Sequence, residues 1–278
     1  MAYRQGLAHM KNKFRLRRWL FGKHRRNKIV QFLARQSFKN IAHFNNEDRN
    51  HLRNGEYWLQ KTLIRYFLNK GITPTIFDVG ANNGEWSVTM LNLSPAINLH
   101  CFEPSKKTFD ILSQKLAAYP NVTLNMVGLS GKKHSIEFYE NDGSDVTSLY
   151  HRFKAKNKTK ISVNLITGDS YLSEKRIEKI DFLKIDIEGM EYDALLGLKE
   201  SLAQNKVQII QFEYGEFNIH SEKLLKHFYE LLSDYSIGKL YPQHIEIQDW
   251  HHDMENFKPA NIIAIHKSNT ELLALINR

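Results

Sequence analysis

Apolar residues recur along this chain in two rhythms. Up to about residue 70 they fall at helical spacing, and Leu59, Leu63, Tyr66 and Phe67 share one face of a helix predicted over 57–68, which Gly71 and Pro74 end. From Thr75 onward, short apolar runs alternate with amphipathic segments, the pattern of βα units around a mostly parallel sheet. Strands are predicted near 76–79, 99–102, 122–127, 182–185 and 207–212. Between them, the stripes Phe109, Leu112, Leu116, Tyr119 and Leu224, Leu225, Phe228, Leu231, Leu232 have the period of helices that face a sheet. A different texture lies between the third and fourth strands. There 135–139 and 160–165 read as a hairpin or insertion around the polar stretch 141–148, with a lysine-rich tip at 154–160 that is a solvated loop unless a phosphate-bearing or acidic acceptor uses it.

The pattern therefore predicts an α/β fold: a Rossmann-like sheet with helices on both faces over 74–278, behind a basic, helical N-terminal extension over 1–73. The 278 residues and 42% hydrophobic content suit one large domain with an appendage. Charge sharpens the division. The net charge is +9, yet 1–46 holds twelve Lys or Arg and no Asp or Glu, which leaves the remainder slightly acidic. In that segment Arg15, Arg17, Arg18, Arg25, Arg26 and Lys28 interleave with Trp19, Leu20, Phe21, Ile29, Val30, Phe32 and Leu33. Such a mixture forms either a basic helix on an anionic membrane or a helix packed on the domain with its charges in water. No run reaches the ~18 apolar residues of a membrane span, and no secretory signal opens the chain. A cytoplasmic protein is expected, or one peripheral at the inner face of the membrane, with no nucleic acid as substrate. The single cysteine, Cys101, sits in an apolar run and is expected to be a core residue.

Three segments carry candidate chemistry. In IFDVGANNGEW an apolar strand ends at Asp78, turns through Gly80 and Gly84, and enters a helix. A turn this tight needs residues without bulky side chains, and its amides can face a ligand. The spacing is G-x-x-x-G with Asn82 and Asn83 inside, not the G-x-G-x-x-G that seats a pyrophosphate, and so suits a cofactor with an amino-acid moiety. The next strand ends in HCFEP, placing Glu103 about twenty residues on, where an acid in such folds accepts from ribose hydroxyls. In FLKIDIEGMEYDALLGL a third strand delivers Asp186 to its carboxyl end, followed by Glu188 and Glu191, and IIQFEYG brings Glu213 to the same edge. Acids gathered on one rim suit a cation, a polyol or a positively charged cofactor. Glu191 equally suits a helix N-terminus.

The series FDVGANNG, FEPS, VGLSGKKHSIEFY, FLKIDIEGMEYDALLG and IIQFEYG resembles, in order and spacing, the FkbM family of S-adenosylmethionine-dependent methyltransferases, over roughly residues 74–215. The resemblance implies a class I methyltransferase sheet and O-methylation, with a sugar or glycan hydroxyl as the favoured acceptor and a polyketide-type small molecule as the alternative. Carried over by motif, Asp78, Gly80, Asn82 and Gly84 form the methionine end of the cofactor site. Glu103 holds the ribose, and Gly128, Leu129 and Ser130 lie near the adenine. Asp186, Glu188 and Glu213 are the candidate catalytic carboxylates, and Asp186 with Glu213 could instead hold a divalent cation such as Mg. The sequence departs from the family at Gly131, where an acid is common. Two other readings stand further off: a dinucleotide-dependent sugar oxidoreductase, whose glycine fingerprint is absent, and a non-catalytic module binding an anionic surface. His220, His244, His251 and His252 are reserve candidates for a base, and His251, His252 and Asp253 read as a polar loop.

Overall fold

A computed structural model describes residues 18–141, 147–148 and 158–276. Arg15, Arg17 and most of the lysine-rich tip at 154–160 lie outside these residues. The chain divides after Asp48 into two units. In the first, a short helical segment, Arg18–Lys23, precedes a helix over Lys28–Phe44. Asn27 caps that helix, its side-chain oxygen accepting from the Ile29 amide at 2.9 Å.

The second unit begins at Arg49 and includes the helix Glu56–Asn69, which the sequence pattern alone places in the extension. Its stripe explains the shift of boundary: Leu59, Leu63, Ile64 and Phe67 are buried in the same core as the first strand's Ile76. The unit holds an eight-stranded sheet. Its strands are β1 (Thr75–Val79), β2 (Asn98–Phe102), β3 (Val122–Asn125), β8 (Phe182–Ile185), β9 (Ile209–Tyr214), β10 (Tyr235–Tyr241), β11 (His244–Ile247) and β12 (Ala260–His266). Their order is β11-β10-β12-β9-β8-β1-β2-β3. β3, β2, β1, β8 and β9 are parallel, and β12 enters antiparallel between β9 and β10. The chain leaves β1 toward β2 and β3 and returns to β8 on β1's other side. This switch point opens a crevice at the strands' carboxyl ends.

The inserted hairpin forms a separate four-stranded sheet of β4 (Gly128–Leu129), β5 (His134–Asn141), β6 (Thr147–Ser148) and β7 (Lys158–Ile166). Strand alternation splits the main core in two. Phe77, Val79, Leu183 and Ile185 face the helices Gly168–Lys175, Glu191–Leu196 and Leu225–Leu231, whereas Ile76, Leu99, Phe182 and Ile209 face Glu56–Asn69, Glu85–Leu93 and Lys106–Leu116. Helices thus cover both faces, as the sequence predicts. β10, β11 and β12 carry no motif, and they complete the sheet by pairing that only the folded chain reveals.

Candidate active site

The turn after β1 builds one wall of the crevice. Gly80 and Gly84 adopt φ +82° and +80°, and Asn82 adopts +49°. A Cβ on Gly80 would stand 2.0 Å from the Asp186 carbonyl oxygen, so glycine is required where the ends of β1 and β8 pass each other. A Cβ on Gly84 would meet Leu112 at 2.8 Å. The Gly80 and Ala81 amides both donate to the Phe102 carbonyl at 3.0 Å, which ties the turn to the end of β2. There Glu103 is nearly buried, and its two oxygens accept from the Asn82 amide at 3.1 Å and the Ser105 amide at 2.9 Å. Two backbone donors fix the direction of its carboxylate.

A cavity of about 340 Å³ opens against this wall. Gly80, Asn82, Glu103, Gly128 and Leu129 line it, with Asp186 and Glu188 opposite and Arg49, His51 and Glu56 at one side. Asp78 and Ser130 are buried and are not among its lining residues, and Gly84 sits behind it as the helix cap. Glu213 faces a small neighbouring recess with Gly189, Glu191 and Asn218, and Arg49 borders both spaces. Neither His220, His244, His251 nor His252 lines the cavity. His244 stacks on Tyr241, while His251 and His252 lie beside Asp253 at the surface.

Beneath the rim runs a buried polar row. Strand register sets Cys101, Asp78, Lys184 and Gln211 side by side across β2, β1, β8 and β9. Ser87 donates to Asp78 Oδ2 at 2.6 Å, and Lys184 Nζ donates to Asp78 Oδ1 at 3.3 Å. Gln211 donates at 2.7 Å to Glu56, which Asn54 also holds at 2.8 Å. Burial pushes the Cys101 thiol far up and leaves it an inert core group. Burial alone would lower Lys184, yet Asp78, Asp186 and Glu56 together hold it above its ordinary value, a fixed cation.

The opposite wall is acidic. Glu188 and Gly189 take φ +56° and +103° in a tight loop, and the buried Glu191 carboxylate braces it by accepting from the Ile187 amide at 2.9 Å and the Gly189 amide at 3.0 Å. Burial pushes Glu191 up to about 7 against these bonds. Glu213 is also raised, first by burial and then by the charges of Asp186, Glu188 and Glu191. Arg49 donates to Glu216 at 2.9 Å, and that bond, with the fields of Glu213 and Glu188, holds it charged. Arg49, Glu56 and Lys184 went unread in the sequence. Only Lys184 left a signal, two residues before Asp186 and so on the same strand face. Among the described residues no three His, Cys, Asp or Glu side chains gather closely enough to hold a metal ion.

The profile of the FkbM methyltransferase domain matches residues 78–264, from the end of β1 through most of β12. The chain belongs to the FkbM methyltransferase family. Among curated relatives it is similar to the 2-O-methyltransferase NoeI of Sinorhizobium fredii, 26% identical over 188 residues that cover 62% of this chain and 76% of NoeI. It is likewise 26% identical to the hexuronic acid methyltransferase AglP of Haloferax volcanii over 158 residues, 56% of this chain and 63% of AglP, less than two thirds of that relative. Among solved structures, a precorrin-6y C5,15-methyltransferase from Geobacter metallireducens is 13% identical with a TM-score of 0.40, covering 76% of this chain and 87% of that one. The enzyme is a methyltransferase, and the matched region contains Gly80, Asn82, Glu103, Gly128, Leu129, Asp186 and Glu188 of the cavity lining, while Arg49, His51 and Glu56 precede it.

Proposed function

We propose that this FkbM methyltransferase moves a methyl group from S-adenosylmethionine to a sugar hydroxyl. The observation that carries the reading is the cavity itself, in which a carboxylate clamped by two backbone amides faces a wall of further carboxylates across the switch point of the sheet. This donor set fits the cofactor. Glu103 would accept from the ribose hydroxyls, Gly128 and Leu129 would flank the adenine, and the Gly80–Asn82 turn would receive the methionine end. The cofactor supplies an electrophilic methyl on a cationic sulfur, so the chain has to align an acceptor oxygen in line and remove one proton. Asp186 and Glu188, on the cavity wall, would orient the acceptor hydroxyl and take its proton as the new O–CH3 bond forms. Glu213 lines the neighbouring recess that shares Arg49 with the cavity, and we propose it as the further carboxylate of the set. A resident divalent cation finds no gathered ligand set, because Asp186 and Glu213 line separate spaces and no three His, Cys, Asp or Glu side chains cluster among the described residues. No step is derived through one.

A polyol acceptor suits an acidic wall better than an apolar polyketide does, and the named activities of NoeI and AglP support a carbohydrate. The test is transfer of radiolabelled methyl from S-adenosylmethionine to a panel of neutral and uronate-containing oligosaccharides. Label is expected on sugar oxygen. Label recovered only on non-sugar acceptors would overturn the carbohydrate assignment.

For the first unit we propose a peripheral contact with anionic lipid. On the helix Lys28–Phe44, Ile29, Phe38 and Phe44 are 70%, 71% and 84% exposed, Lys28, Arg35 and Lys39 share one arc that Ile29 and Phe38 flank, and no acid of the helix offsets them. No helix among the described residues is long and apolar enough to cross a membrane. The full chain should sediment with phosphatidylglycerol vesicles and not with phosphatidylcholine ones. A chain beginning at Glu47 should sediment with neither, and retained binding would place the contact elsewhere.

A further inference from the structure

Among the described residues, Lys184 is a cation buried beneath the rim of the cavity, out of water. Its side chain is 6% exposed and that of Asp186 is 45% exposed, so the pair runs from the core to the open wall. The ammonium lies 3.3 Å from Asp78 Oδ1 below it and 3.4 Å from Asp186 Oδ2 above it. It also stands 5.5 Å over the Trp86 ring, which closes the helix side of its chamber. Asp78 alone would suffice to neutralise a buried lysine, and Ser87 already holds the other Asp78 oxygen. The second carboxylate is therefore not needed for burial of the charge. What the second contact does is restrict the Asp186 side chain, which otherwise sits at the end of β8 with water on one side.

We propose that Lys184 is a positioning residue that fixes the Asp186 carboxylate against the cavity wall, so that its negative charge faces the cationic sulfur of the methyl donor. This rests on the function proposed above and adds a discrimination to it. S-adenosylmethionine and S-adenosylhomocysteine share ribose, adenine and amino-acid groups, and differ in a methyl and the positive charge it confers on sulfur. A carboxylate held near that sulfur favours the charged donor and contributes little to the neutral product. A loose carboxylate, screened by water, does so weakly.

The experiment is calorimetric titration of the whole protein with each of the two ligands, which needs no acceptor. Removing the lysine alone leaves Asp78 buried and unpaired and can unfold the protein, so the informative variant is Lys184→Met combined with Asp78→Asn, which removes both charges of the buried pair. Asp186→Asn marks the loss of the positioned charge, and Lys184→Arg is the conservative control. In the wild type the ratio of the two dissociation constants should favour the donor. That preference should fall by about fivefold or more in Asp186→Asn and in the double variant, the scale of a lost charge–charge coupling, and return toward wild type in Lys184→Arg. Affinity for S-adenosylhomocysteine should stay within about threefold throughout, which shows the cofactor site folded. A double variant that binds the product normally and keeps the wild-type ratio would overturn the proposal and leave Lys184 a structural ion-pair partner. Wild-type protein that binds neither ligand would instead overturn the proposed function itself.

Discussion

The two walls of the cavity fix their carboxylates by different means. On the β1–β2 wall, Glu103 is held by backbone amides of the glycine turn and of Ser105, donors that no side-chain substitution removes. On the β8–β9 wall, Asp186 leans on the Lys184 side chain, Glu213 is raised by burial and then by the acids around it, and Arg49 bonds Glu216 in the field of Glu213 and Glu188. The first wall is a binding element whose carboxylate is held by backbone. The second is a set of carboxylates that act on one another through their charges. Binding and proton transfer ask for those two different behaviours.

The comparison breaks most completely at the turn on which the first wall depends. Gly80→Val places a branched side chain at φ +82° with its Cβ 2.0 Å from the Asp186 carbonyl oxygen. Binding of S-adenosylhomocysteine should be lost altogether, with a lowered melting temperature. Ordinary binding by that variant would show that the turn does not form the site. On the second wall, Asp186→Asn and Glu213→Gln should lower methyl transfer by roughly 10²- to 10⁴-fold where the residue takes the proton, and leave product affinity near wild type. Both variants working at full rate would make these carboxylates structural. His51, which lines the cavity, would then be the next base to test.

Much of the first wall was legible in the sequence because backbone builds it. IFDVGANNGEW and FEPS read as strand, turn and acid within a residue or two of their observed places, since a positive-φ turn admits few residue types. The second wall was legible only at its strand ends, where Asp186, Glu188 and Glu213 sit. Asp78, expected at the methionine end, lies a layer lower with Lys184 and Ser87, because strand alternation sends its side chain under the helix Glu85–Leu93. Arg49 comes from the segment before the helix Glu56–Asn69, and nothing local marks it. The three last strands escaped notice for a similar reason: ANIIAIH is a plain apolar run, and its antiparallel place beside β9 is a long-range choice.

A smaller effect separates the walls by pH. Burial raises Glu191 to about 7, so the folded chain keeps a proton that the unfolded chain releases near its ordinary 4.5. The associated stability is complete below about pH 4.5 and is lost as pH rises through about 7, on the order of 3 kcal/mol at most. Urea unfolding at pH 5 and pH 8 should show this decline in the wild type and a flatter one in Glu191→Gln, which cannot ionise. Equal slopes in the two proteins would mean that Glu191 stays charged in its loop.

The most direct measurement is calorimetric titration of S-adenosylhomocysteine and of NAD into the wild type and Glu103→Ala. The account predicts that the adenosyl ligand binds one site per chain, that NAD does not, and that Glu103→Ala weakens binding by about 1–3 kcal/mol, the scale of hydrogen bonds lost from a charged acceptor. Binding of NAD in place of the adenosyl ligand, or an adenosyl affinity indifferent to Glu103, would contradict it.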